Sequence, residues 1–226
     1  MYIYANIHEI TDDEIIVKFP RPKKSTEFLL NSEIEIRIDD GREISNEQRR
    51  KTYATLHDIQ EHSGYIVEEA KRLLKLIFIF ENGADWFSLS NCDMTTARHF
   101  LQFLIEWCLE NGVPTKDSLL ERAPDIADYV YASLMNKTCC ICQLPGAEFH
   151  HEDAVGMGRN RKEICHIGMK GMSLCRIHHD EAHRKGKLTF NSDRHIFGIE
   201  VDAEIAILYR LGKEEEQEDE ILDTGI

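Results

Sequence analysis

Apolar positions in the first 44 residues fall in short runs, of which EIEIRI alternates with period two, and change to steps of three and four from Ser45 onward. Met1–Ile10, Glu14–Phe19 and Glu33–Ile38 are short runs rich in Ile, Val, Tyr and Phe, which predicts strands, with KFPRPKK and DDGRE as turns. Beyond them the spacing predicts helices. Ser45-Asn46-Glu47-Gln48 has the form of a capping box, and Tyr53, Leu56 and Ile59 follow at helical steps. Ile66–Phe80 reads as a second helix, apolar enough to be expected buried. Asp93 or Thr95 caps a third, which runs to Asn111 with Gly112 past its end; Phe100, Leu101, Leu104, Ile105 and Leu109 mark its core face. Pro124 opens a shorter helix ending near Asn136, and Asp202–Leu211 reads as a last one. Strands followed by helices place the chain in the α+β class.

Composition narrows the function classes. With 226 residues, 42% of them hydrophobic, the chain can bury a core, so wholesale disorder is excluded. The net charge of −14 argues against a non-specific nucleic-acid binder unless positive charge is concentrated locally. The longest apolar run, Leu73–Phe80, is interrupted by Lys75 and is too short for a membrane span. The amino terminus lacks the pattern of a secretory signal, so a cytoplasmic protein is expected. KEEEQEDEILD near the carboxyl terminus reads as a solvated acidic tail.

Cysteine and histidine are unevenly placed. Five of the seven Cys and seven of the eleven His fall between Lys137 and Gly198, a window with ten Lys/Arg against seven Asp/Glu. An odd cysteine count without a secretory signal favours metal ligation over disulfides. Cys139-x-x-Cys142 and Cys175-x-x-His178 offer four ligands for one tetrahedral Zn²⁺; Cys140 is an alternative to Cys139. A helix over RIHHDEAHRKGK would put His179 and His183, four apart, on one face. On an extended segment adjacent side chains point apart, so His150 can join that pair at a second metal while His151 faces outward beside it. Three protein ligands with open positions suit a catalytic metal.

These residues, a C-x-x-C, an HH pair and C-x-x-[CH]-H-x-x-x-H, resemble the HNH endonuclease motif with its ββα-metal hairpin over about sixty residues, Thr138 to Gly198. The likeness extends to HNH nucleases of tailed phages, in which GMGRNR and LCRxHHxEAH recur, here Gly156–Arg161 and Leu174–His183. The resemblance implies a small zinc-stabilised domain over 137–200. It makes His151 the general base, His150, His179 and His183 the ligands of a catalytic divalent ion, and Cys139, Cys142, Cys175 and His178 the structural zinc site. Mg²⁺ or Mn²⁺ is the expected catalytic ion and Zn²⁺ or Ni²⁺ the alternative: ligand softness suits three imidazoles to Zn²⁺, Ni²⁺ or Mn²⁺ better than to Mg²⁺, while phosphoryl chemistry in cells usually finds Mg²⁺. The middle residue of the motif departs from the common spacing, which lands on Lys170; Asn160 is the first candidate to orient the base and His166 the second. Arg159, Arg161 and Lys162 are expected phosphate contacts.

Residues 1–136 carry no catalytic constellation: His57, His62 and His99 are scattered. ISNEQRRKTYATLHDIQEHSG and FSLSNCDMTTARHFLQFLIEWCLENGVP resemble segments of the lambdoid phage Orf (NinB) recombination-mediator family. That resemblance implies a homodimer binding single-stranded or branched DNA, working with host or phage single-strand-binding or recombination proteins. Arg49, Arg50 and Lys51 form the best basic patch, and Arg21, Lys23 and Lys24 a second. Trp86, Phe87 and Trp107 are candidates for base stacking, although aromatics at such spacing more often pack in a core. Residues 201–226 complete the chain as a helix and acidic tail. The leading expectation is a metal-dependent HNH DNA endonuclease of phage recombination, in the cytoplasm of the bacterial host. The alternatives are a non-catalytic single-strand-binding mediator whose hairpin is only a zinc-stabilised module and, third, a zinc-stapled inhibitor that mimics DNA.

Overall fold

The computed structural model describes residues 6–11, 14–18, 41–152 and 165–211. The expected strand Glu33–Ile38, the basic positions Arg21, Lys23 and Lys24, the loop carrying Arg159, Asn160, Arg161 and Lys162, and the acidic tail lie outside these residues. The chain is mixed α+β and separates into two compact units, residues 1–124 and 125–226. The expected boundary at 136/137 therefore falls inside the second unit, and the helix following Pro124 belongs to that unit.

In the first unit, β1 (Asn6–Ile10) and β2 (Ile15–Lys18) form an antiparallel hairpin with an irregularity between Ile7 and Glu9. Thr11 N–H donates to the Glu14 carbonyl at 2.9 Å and Glu14 N–H to Thr11 Oγ1 at 3.0 Å, closing the turn. Helix α1 (Asn46–Ser63) starts at the reciprocal cap expected of Ser45 and Gln48: Gln48 N–H donates to Ser45 Oγ at 3.1 Å, and Ser45 N–H to Gln48 Oε1 at 2.9 Å. Gly64, at φ +78°, ends the helix in the left-handed conformation that costs glycine least.

Helices α2 (Val67–Asn82) and α3 (Met94–Glu110) pack with α1, and Asp93 Oδ1 caps α3 by accepting from Thr96 N–H at 2.7 Å. Their shared core is Leu56, Ile59, Leu74, Leu101, Leu104 and Ile105, with Phe78, Phe87 and Phe100 meeting edge to face at centroid separations of 5.3–5.8 Å. The expectation that α2 is buried holds for one face only. Ala70, Leu74 and Phe78 point inward, while Leu73, Leu76 and Phe80 are exposed, Phe80 to 89%. Its apolar residues surround the helix, and α1 and α3 cover one side of it. A single helical turn, α4 (Leu119–Arg122), places Arg122 against Asp58 at 2.6 Å and Asp117 at 3.3 Å; the Asp58 and Arg122 side chains are almost fully buried.

The second unit opens with α5 (Ile126–Met135), capped by Asp125. A three-stranded antiparallel sheet follows in the order β3 (Glu148–His151), β4 (Lys170–Leu174), β5 (Ile199–Glu200). Helix α6 (Arg176–Lys185) leaves β4 directly, α7 (Lys187–Arg194) turns back at Gly186, and α8 (Ala203–Tyr209) is capped by Asp202. Gly186 has φ +76°, which explains a glycine between two abutting helices. Tyr129, Leu134, Met172, Leu174, Phe190 and Ile205 are fully buried and form the core beneath β3, β4 and α6. Nothing in the periodicity marked α7: KLTFNSDR has Phe190 as its one buried position.

Candidate metal centres and active site

The two short ligand pairs are shaped by tight backbone. Cys139 N–H donates to the Leu144 carbonyl at 2.9 Å and Gln143 N–H to the Cys139 carbonyl at 2.7 Å, with Gln143 at φ +61°. This knuckle turns Cys139 and Cys142 the same way. The other pair straddles the start of α6, where Cys175 is the N-cap and His178 lies one turn on. The four ligand atoms all lie within 4.8 Å of one another. Cys142 and Cys175 Sγ are 3.7 Å apart, and His178 Nδ1 is 3.2 Å from Cys175 Sγ and 3.4 Å from Cys139 Sγ.

Bonds of about 2.3 Å to sulfur and 2.0–2.1 Å to nitrogen at tetrahedral angles require edges of about 3.8 Å (S–S) and 3.6 Å (S–N). The observed spacings fit that set, and 3.7 Å is far from a disulfide's S–S length of about 2.05 Å. Burial works against the Cys175 thiolate, yet the His178 N–H, the Cys142 and Cys139 thiols and the Ile177 N–H outweigh it and bring that thiol below its ordinary value. Cys140, the alternative ligand, is fully buried outside the quartet, its N–H donating to the Ser173 carbonyl at 3.0 Å and its thiol pushed well up by burial.

The second centre is made by β3 and α6. His179 and His183 share a helical face with ring centroids 4.6 Å apart, and His150 reaches them from the strand at 4.8 and 5.0 Å. One ring nitrogen from each lies within 4.8 Å of the others. His150 Nδ1 and His179 Nδ1 are buried with no hydrogen-bond partner among the described residues. Burial, then the charges of His179, His183 and His151, push the His150 imidazole down to about 4, with Glu152 opposing; burial and His183 lower His179 as well. Neutral imidazoles with unspent nitrogens are the donor set a divalent ion accepts.

His151 projects from β3 away from that cluster. Its Nε2 is 2.8 Å from Nδ1 of His166, which is 3% exposed. The Phe149 ring stands edge-on to His151 at 4.7 Å and leans on Tyr209 at 5.6 Å. Opposite His151 in the register is Gly171, where a Cβ would fall 2.1 Å from Phe149 Cζ. A side chain there would expel the ring that flanks His151. The next residue, Glu152, has a buried side chain; its carboxylate accepts from Asn191 Nδ2 and from Gly198 N–H at 3.0 Å, with Lys187 Nζ at 3.3 Å. These contacts tie α7 and the start of β5 to the end of β3.

A family model described as "Putative HNHc nuclease" matches residues 24–212. The chain belongs to this HNH nuclease family. The match spans both units, so residues 41–124 are part of the family pattern and not an unrelated attachment. No curated protein and no solved structure matches the chain.

Within this HNH nuclease fold, His150, His179 and His183 come together, as do Cys139, Cys142, Cys175 and His178. Asn160 and the loop cations Arg159, Arg161 and Lys162 lie outside the described residues, as does any contact they make. Lys170 is exposed at the start of β4. Of the other basic positions, Arg49 binds the Leu89 and Ser90 carbonyls at 3.0 and 2.9 Å, Lys51 pairs with Glu47 at 3.1 Å, and Arg50 is exposed. Phe87 is a core residue, Trp107 is half-buried and Trp86 is exposed. The Phe149–Gly171 packing and the Glu152 anchor carry no motif. The one available signal is a glycine inside a strand, which marks close approach by a neighbouring group. Among the described residues, no helix is long and apolar enough to cross a membrane.

Proposed function

We propose that this HNH family member is a metal-dependent DNA endonuclease that hydrolyses phosphodiester bonds with His151 as general base. The observation that carries the reading is His151 itself, one residue from a three-imidazole cluster on β3 and hydrogen-bonded to the buried His166 at 2.8 Å. His166 takes the part of the residue that orients the base, the role for which the sequence offered Asn160 first.

His150, His179 and His183 would hold a divalent ion, which when bound would supply charge neutralisation to the scissile phosphate and the leaving 3′ oxygen. With His151 donating its Nε2–H to His166 Nδ1 across their 2.8 Å contact, the basic lone pair would stand on His151 Nδ1. That nitrogen takes a proton from water as the water oxygen bonds to phosphorus opposite the 3′ oxygen; the P–O3′ bond breaks and the 3′ oxygen leaves to be protonated by solvent. Phe149, held against Gly171, limits the swing of the imidazole. The Cys₃His quartet would hold a structural Zn²⁺, which when bound would tie the amino end of α6 to the knuckle before β3. Arg159, Arg161 and Lys162 contact phosphates flanking the scissile bond.

The proposal extends to the first unit, which by its Orf-like segments brings single-stranded or branched DNA, through Arg49, Arg50 and Lys51, to a homodimer acting in phage recombination with single-strand-binding partners. The test is cleavage of labelled duplex, single-stranded and four-way-junction DNA with Mg²⁺, Mn²⁺, Zn²⁺ or Ni²⁺, with His166→Ala alongside. Divalent-dependent cutting that falls in His166→Ala with unchanged DNA affinity supports the reading. Absence of cutting with every ion, while single strands still bind, replaces it with the non-catalytic mediator.

A further inference from the structure

The first unit holds a cavity of about 490 Å³ to which the endonuclease reading gives no task. It opens between the amino-terminal half of α1, the first turns of α2 and the loop 86–90, and its walls include Arg49, Tyr53, Lys71, Lys75, Trp86 and Ser88. Three of these are cations and none of the lining residues is an acid. Lys71 is paired with Glu68 at 2.5 Å. Lys75 has no carboxylate partner among the described residues: its side chain is buried, its Nζ donates to the Phe87 carbonyl, and it lies 4.5 Å from the Trp86 ring centroid and 4.4 Å from that of Phe87. Arg49 likewise spends its guanidinium on the carbonyls of Leu89 and Ser90 and on Asn46, with no carboxylate among its partners in the described residues.

A buried ammonium compensated only by a carbonyl and two ring faces is costly to desolvate. Burial, followed by the Lys71 charge, brings Lys75 below the ordinary lysine value. Two cations at one concave site, with no carboxylate partner among the described residues, leave room and charge for an anion. The aromatic wall narrows the choice of anion. Trp86 is 64% exposed, beside a loop whose Ser88 and Ser90 hydroxyls lie 2.9 Å apart on the exposed side. Indole surface and cations at one opening match a base joined to a phosphate. The volume lies in the range of small-ligand sites, about 300–1,000 Å³.

The geometry points to this cavity as a nucleotide-binding pocket that captures one base and its phosphate from a single DNA strand, the base stacking on Trp86 and the phosphate meeting Lys75 and Arg49. The inference rests on the reading that the protein acts on DNA, but it moves the contact from the exposed Arg50–Lys51 surface into an aromatic-walled pocket. It predicts a binding determinant in Trp86 and Lys75 that basic-patch residues do not replace.

The experiment uses the full chain carrying His151→Ala, so that binding is read without cutting. Fluorescence anisotropy of a labelled oligothymidylate is compared for this parent and for added Trp86→Ala, Lys75→Gln or Arg50→Ala. Trp86 is exposed, so its replacement leaves the folded core in place. The expected loss for Trp86→Ala is about 5- to 140-fold, the range of one stacked base. Lys75→Gln lowers the salt slope by about 0.7, as for one phosphate contact on a single strand, while Arg50→Ala has the smaller effect.

The chain has two tryptophans, so Trp107→Phe leaves Trp86 as the sole indole reporter. Quenching by the oligonucleotide alone supports a strand as the source of the nucleotide. Equal quenching by free thymidine monophosphate also supports the pocket and names a free nucleotide as the source. Oligothymidylate affinity within twofold of the parent in Trp86→Ala and in Lys75→Gln, with unchanged Trp86 emission, overturns it. The endonuclease reading is judged separately, on cutting by the chain with His151 intact.

Discussion

Gly171→Ala is the sharpest probe of how β4 sets the position of His151. Gly171 has no positive φ, so alanine suits the backbone and the whole effect comes from space. The new Cβ would fall 2.1 Å from Phe149 Cζ and 2.7 and 2.8 Å from Cε1 and Cε2. Ordinary carbon contacts are about 3.5–4.0 Å, so the ring must retreat by roughly 1.5 Å or more. It then leaves Tyr209, 5.6 Å away, and His151, 4.7 Å away. Overpacking of this kind costs about 1–3 kcal/mol, which in a unit of about a hundred residues lowers Tm by roughly 4–8 °C for each kcal/mol.

The larger effect falls on catalysis, since a displacement of about 1 Å at a reacting group is worth about a hundredfold in rate. Neither metal cluster contains Phe149 or Gly171, so zinc content is expected to stay at the parental value. The assay is a thermal melt, a zinc determination and a single-turnover cleavage rate on one preparation. Adding Phe149→Leu removes the ring that clashes, and Tm is expected to recover in part, giving a non-additive pair. A Gly171→Ala protein with parental Tm and parental rate refutes the packing argument, and so does one that loses rate only in step with its zinc.

The remaining predictions concern metal, charge and thiols. Cys142→Ser, or chelation of the quartet, is expected to unfold the second unit, because structural zinc binding is worth about 10–16 kcal/mol; near-ultraviolet circular dichroism and loss of cleavage together report it, and a folded zinc-free unit contradicts it. Asp58→Ala leaves the buried Arg122 guanidinium with only the longer Asp117 contact and is expected to destabilise the first unit in urea titrations, by less than the ~3–5 kcal/mol of a wholly unpaired buried charge, whereas Glu61→Ala, which breaks the exposed pair with Lys116, changes stability little. Burial pushes the Cys92 and Cys108 thiols up to about 11 and 12. At pH 8 they are almost wholly protonated, so a thiol reagent is expected to label the exposed Cys165 and spare them until the chain unfolds, as counted by mass spectrometry. Rapid native labelling of Cys108 would contradict that assignment.

The parts of the fold that were legible in sequence are those set by local chemistry. Ser45–Gln48 and Asp93 are capping signals, and each lies where a helix starts, while the helix expected from Pro124 is capped by the next residue, Asp125, and ends at Asn136 as expected. The two quartet pairs and the H-x-x-x-H of α6 were legible for the same reason, since ligand spacing within a knuckle or a helical turn is a local property. What escaped the pattern depends on tertiary contacts. The exposed side of α2 follows from which neighbours cover it, and apolar residues all round the helix conceal that choice. Helix α7 is held by Phe190 and by the Asn191–Glu152 bond across 39 positions of sequence. The partner of His151 is 15 residues away across a connection of irregular length, so counting from His179 led to Lys170 while the hydrogen bond runs to His166. The Lys75–Trp86 pocket required three separated segments to be brought together.

The central claim is that His151 is the base of a phosphodiesterase built on the β3–β4–α6 unit. The most direct measurement compares single-turnover cleavage by the parent chain and by His151→Ala with saturating divalent ion, while DNA affinity and zinc content are read in the same samples. Removal of a general base is expected to slow cleavage by about 10²- to 10⁴-fold, with affinity and zinc unchanged. A His151→Ala protein that cuts at the parental rate, or a parent that binds DNA and cuts none, would contradict the account.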